Sequence, residues 1–106
     1  MRILFDQGTP VPLRKYLDTH AVATAYELSW QELENGDLIA MAEADGFELL
    51  ITTDQNLRYQ QNLENRRIAI LVLKSTSWPR IKAHLAAVVS LIDQSAPGTY
   101  QEIKIP

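Results

Sequence analysis

The chain has 106 residues, with ten Lys plus Arg against thirteen Asp plus Glu, a net charge of −3 and no cysteine. This describes one domain, long enough to bury a core without disulfides or thiolate metal sites, and the sign of the charge argues against a protein that holds nucleic acid by bulk electrostatics. The first apolar run is too short for a signal peptide or a membrane span, so a single cytoplasmic domain over residues 1–106, with no membrane contact, is expected.

Ile3-Leu4-Phe5 is an apolar run ended by Asp6, the pattern of a buried strand. Gln7-Gly8 reads as a turn. Thr9 and Pro10 read as an N-cap and a first-turn proline, and the helix they open is predicted to reach Leu17, burying Leu13, Tyr16 and Leu17 with Arg14 and Lys15 outward. Residues 21–28 alternate through Val22, Thr24 and Tyr26 as a second strand. A polar loop carrying Trp30 follows. Asn35-Gly36-Asp37 then opens a helix with Leu38, Ile39, Met41 and Ala42 as its buried stripe, and Asp45-Gly46 stops it.

Leu49-Leu50-Ile51 leads into Thr52-Thr53-Asp54, a buried strand that delivers a carboxylate to the rim of a sheet. Residues 55–65 are polar apart from Leu57, Tyr59 and Leu63 and read as a short helix or a helical turn within a loop. Residues 68–73 are apolar throughout, as strands of a parallel sheet are. Ser77-Trp78-Pro79 begins a helix predicted to run unbroken to Ser95 on Ile81, Leu85, Val88, Val89 and Ile92. Residues 100–105 alternate as a last strand, placed at an edge by Glu102 and Lys104.

Five strands alternating with four helices imply an α/β domain of three layers, α/β/α, around a mainly parallel five-stranded sheet. Crossovers bring strand ends to one edge, so Asp6 and Asp54 share it and meet if strands one and three are neighbours. Asp37 opens the helix after strand two and lies on the same side.

Three carboxylates that converge repel one another unless one is protonated, a base intrudes or a cation binds. Magnesium or manganese suits such oxygen donors and acts on phosphate substrates. Thr52 and Thr53 are placed to hydrogen-bond a carboxylate or a metal-bound water. Zinc does not suit the chain, because His20 and His84 lack ligand-spaced partners. Singly, each aspartate has a plainer role: Asp54 as an N-cap, Asp6 in the turn, Asp37 at a helix N-terminus. Arg58, Arg66, Arg67, Lys74, Arg80 and Lys82 follow Asp54 with only Glu64 among them in that stretch, either a solvated surface or a phosphate-facing rim with Arg58 and Lys74 nearest the acids. Trp30 and Trp78 read as packing residues before nucleobase platforms.

In this order and spacing, Ile3-Leu4-Phe5-Asp6, Asn35-Gly36-Asp37, Thr52-Thr53-Asp54 and Ile70-Leu71-Val72-Leu73 resemble the small PIN-like domains of the DUF5615 group, relatives of VapC-type toxin nucleases. The resemblance spans nearly the whole chain. It implies a metal-dependent ribonuclease, the toxin of a toxin and antitoxin pair, with Asp6, Asp37 and Asp54 as catalytic carboxylates and ligands of Mg or Mn. Thr52, Arg58 and Lys74 would stand beside the RNA substrate, and a neighbouring antitoxin would block the site. Relatives tend to carry an acidic residue and then asparagine after the first aspartate, where this chain has Gln7-Gly8, and the further glutamate usual in PIN sites has only Glu32 or Glu34 as loop substitutes. The alternative is therefore a degenerate PIN-like binding module that does not cut. A third expectation is a receiver-like phosphoacceptor, since Asp54 follows the third strand and Lys74 the fourth. A homodimer through the exposed last strand is a further expectation.

Overall fold

In a computed structural model, which describes residues 1–57 and 66–106, the apolar runs become the centre of one sheet. Its strands are β1 (Arg2–Phe5), β2 (Ala21–Thr24), β3 (Leu49–Thr52), β4 (Ala69–Leu73) and β5 (Tyr100–Ile103). They lie in the order β2-β1-β3-β4-β5, and every neighbouring pair is parallel. Side chains alternate across a strand, so Ile3, Phe5, Leu49, Ile51, Leu71 and Leu73 enter the core on one face, and Leu4, Leu50, Ile70 and Val72 enter it on the other. This is why the central strands read as unbroken apolar runs.

A short 3-10 helix, Val11–Tyr16, covers the first face through Leu13 and the following Leu17. Two further helices, α2 (Trp78–Ala83) and α3 (Leu85–Asp93), join it there through Ile81, Val88 and Ile92. On the second face α1 (Asn35–Ala44) buries Leu38, Ile39 and Ala42, with Phe47, Leu57 and Ile68 in the same cluster. The three-layer α/β/α arrangement follows. No helix among the described residues is long and apolar enough to cross a membrane.

The connection from β1 to β2 and the connection from β4 to β5 both run over the first face, yet they travel in opposite directions along the sheet. They therefore have opposite hands, although parallel crossovers are right-handed in about 98 % of cases. Six residues of 3-10 helix leave much of that face bare; α2 and α3 close it, and the Tyr16 and Trp78 rings, 6.0 Å apart, join the two connections.

Five local expectations are corrected. The first helix is a 3-10 turn whose cap position is Pro10, not Thr9, with Pro12 in its first turn. The two prolines remove N–H donors, and the Thr9 hydroxyl is engaged with Asp6 and Ile51 instead. Tyr16 is exposed rather than buried, resting on Trp78. β2 stops at Thr24 rather than Leu28, because Thr24 and Glu27 form a reciprocal capping box that turns the chain. Met41 lies outside the buried stripe of α1: at about 100° per residue, Leu38, Ile39 and Ala42 share one side and Met41 falls on its flank. The helix predicted to be continuous from Ser77 breaks at His84 (φ −120°, ψ 27°), whose N–H turns back to the Ile81 carbonyl at 3.0 Å. The helix expected within residues 55–65 falls largely on residues 58–65, outside the described residues.

Candidate functional site

β1 and β3 are neighbours, so the turn after Phe5 and the segment after Ile51 stand side by side at the C-terminal end of the sheet. The chain leaves β1 for the first face, whereas after β3 it reaches the second face at Leu57. Such a divergence is where open parallel sheets place ligands. Here a tight turn fills part of the opening. The Asp6 N–H bonds the Ile51 carbonyl at 3.1 Å, and the Thr9 N–H returns to the Asp6 carbonyl at 3.2 Å. Gly8 lets the turn lie close to Thr53, since a Cβ there would stand 2.5 Å from Thr53 Oγ1 and would turn that side chain aside.

Both oxygens of the Asp6 carboxyl accept from buried hydroxyls: Oδ1 from Thr9 Oγ1 at 2.8 Å, and Oδ2 from Thr52 Oγ1. Burial pushes Asp6 above its ordinary value; the Thr52 and Thr9 hydroxyls and the Gly8 and Thr9 N–H groups pull it back without cancelling that effect. Thr52 is the node of the site. Its oxygen also accepts the Asp54 N–H at 3.1 Å, so Asp6 and Asp54 belong to one hydrogen-bonded unit.

The Asp54 carboxylate holds the chain beyond it. Oδ1 accepts the Asn56 N–H at 2.9 Å and Oδ2 accepts from the Asn35 side-chain amide. The capping role and the site position thus coincide at Asp54. Asn35 was not singled out in the sequence, because asparagine at a helix start reads as a local cap; its amide instead ties α1 to the end of β3.

Asp37 is exposed in the first turn of α1. Lys74 follows β4 and pairs with Glu102 at 3.8 Å, toward the β5 side of the sheet. Arg58 lies outside the described residues. Trp30 packs edge-on against Phe47 at 6.1 Å, a packing residue as expected, and also lines a cleft of about 170 Å³ with Asp6, Gly8 and Asn35. A second cleft, of about 280 Å³, reaches Asp6 from the β2 side. Among the described residues no group of three or more His, Asp or Glu side chains is arranged to hold a metal ion.

No family model, curated protein or solved structure matches the chain. The functional argument therefore rests on the carboxylates and their surroundings.

Proposed function

We propose that the chain is a PIN-like ribonuclease domain acting at the C-terminal end of its sheet, where Asp6 and Asp54 engage one Mg or Mn ion together with an RNA phosphate. The observation that carries this reading is the Thr52 hydroxyl, which binds the Asp6 carboxyl and the Asp54 N–H at the ends of adjacent central strands. Magnesium is commonly held by one or two carboxylates plus substrate phosphates, so a pair of acids is a donor set of the right kind. Each carboxylate keeps lone pairs beyond the hydrogen bonds described. A bound ion would polarise a phosphoryl oxygen and acidify a water. Asp37, exposed on α1, would approach the substrate side, and an antitoxin that covers this edge belongs to the same proposal.

The test compares RNA cleavage by the wild type and by Asp54→Asn with added Mn. Cleavage by the wild type alone is expected; equal cleavage by both proteins would sink the assignment. A second reading, a PIN-like module that binds without cutting, is favoured by the lack of a three-acid group among the described residues. Calorimetry separates the two, since no uptake of Mg or Mn at millimolar concentration leaves only the second.

A further inference from the structure

Among the described residues, Asn35 is the only side chain bonded to the Asp54 carboxylate: its amide nitrogen donates to Oδ2 from 19 positions away in sequence. The other bond, from the Asn56 N–H to Oδ1, is local. A carboxylate only accepts, so the amide turns its nitrogen toward Asp54 and its oxygen away. Asn35 also lines, with Asp6 and Gly8, the cleft of about 170 Å³. It therefore touches one acid of the pair and shares a cleft with the other.

Capping does not account for this amide. Asparagine at a helix start ordinarily bonds a backbone N–H of its own first turn, yet here the cap position is Glu34, and the side chain of Asn35, first residue of α1, is committed to the segment after β3. Residues 35 and 37 stand about 200° apart around a helix of 3.6 residues per turn. The rotation that brings Asn35 to Asp54 thus keeps Asp37, which is exposed, off the acid pair. An aspartate at 35 would set two carboxylates side by side, and these repel unless a proton or a cation comes between them. An amide bonds Asp54 with no such requirement, and groups that orient a ligating carboxylate in this way govern metal affinity strongly.

We infer that Asn35 is the positioning residue of the site: its amide fixes the Asp54 carboxylate for the ion that Asp54 and Asp6 share, and so takes the place that a third acid on α1 would have. The inference rests on the metal reading above and moves the contribution of α1 to the ion from Asp37 to Asn35.

Binding of Mn alone, without RNA, is followed on the whole chain by calorimetry and by the thermal midpoint in Mn and in EDTA. Asn35→Ala, checked for an unchanged circular dichroism spectrum, is expected to bind Mn about tenfold more weakly than the wild type, and Asp37→Asn to bind it equally well. Asn35→Asp separates positioning from a mere tie between α1 and β3. Its midpoint falls below that of the wild type in EDTA, and Mn raises it by more than it raises the wild type, because a third carboxylate then faces the ion. Unchanged Mn affinity in Asn35→Ala, an equal loss in Asp37→Asn, or an Asn35→Asp midpoint that Mn lifts no further than it lifts the wild type would each overturn the positioning role and leave the metal reading intact. No binding of Mn by the wild type would remove both.

Discussion

The Thr9 hydroxyl has one proton and two acceptors, Asp6 Oδ1 and the Ile51 carbonyl, each at 2.8 Å. An ionised Asp6 competes with Ile51 for that proton, and its carboxyl also accepts from Thr52 and from the Gly8 and Thr9 N–H groups; an asparagine has one acceptor oxygen in place of two and gives up part of this set. Folding raises Asp6 above 3.8, so the native state binds more protons than the unfolded chain between 3.8 and the folded value. The contribution of this group to stability therefore falls as pH rises through that window. Asp6→Asn is expected to lose this pH dependence and to be inactive on RNA; a urea midpoint that varies with pH through the window as it does in the wild type would show that another group carries it. A buried carboxylate whose ionised form is disfavoured by its surroundings is the kind of group that clusters at functional sites. Asp6 and Asp54 were legible in the sequence because each closes an apolar strand. The part played by Thr9 was not, since a threonine before a proline signals a helix cap as readily as a buried hydroxyl facing a carboxyl.

Among the elements, the end of β2 forms one wall of the cleft of about 280 Å³ beside Asp6. Glu27 accepts the Thr24 N–H at 2.9 Å, Thr24 Oγ1 accepts the Glu27 N–H at 3.1 Å, and the Thr24 carbonyl accepts from Leu28 at 3.3 Å. Groups of Thr24 that would lengthen the free edge of the sheet are thus used within the chain, which shortens the exposed edge. Thr24→Ala removes one arm of this box and is expected to cost about 1 kcal/mol in chemical denaturation, with Thr24→Ser recovering most of it. Equal stability of Thr24→Ala and the wild type would mean that strand pairing alone ends β2. The alternation of Val22, Thr24 and Tyr26 looked like a longer strand because period-two patterning carries no information about side chains that bond back to their own backbone. The motif Thr24-Ala25-Tyr26-Glu27 was the signal that marks the turn. The break at His84 had no such signal: the apolar spacing of Ile81, Val88 and Ile92 fits one helix as well as two, and both pieces bury into the same face.

At the scale of the molecule, the layer order was legible because apolar runs and amphipathic segments alternate, but the opposite hand of the connection over α2 and α3 was not, since no local residue pattern encodes the direction of a crossover. Two glutamates join separate segments of the chain, and both titrate below the ordinary value. Glu27 holds the 3-10 helix to the turn after β2; the Arg14 hydrogen bond and then the Thr24 N–H bring it down to about 2 from 4.5. Glu43 on α1 receives the N–H groups of Arg67 and Ile68, where the chain enters β4. Burial pushes Glu43 up, but those N–H groups and the charges of Arg66 and Arg67 outweigh it and hold it below 4.5. For both groups the native state binds fewer protons than the unfolded chain below 4.5, so their stabilisation is present above that pH and is lost as pH falls through their folded values. Asp6 works in the opposite sense over its own window. The urea midpoint of the wild type is therefore expected to fall on acidification below 4.5, more steeply in Asp6→Asn, which lacks the opposing group, and less steeply in Glu43→Gln. The Glu27 part is exposed and should shrink in high salt. The same acid slope in Glu43→Gln as in the wild type would show that the link between α1 and β4 does not depend on its charge.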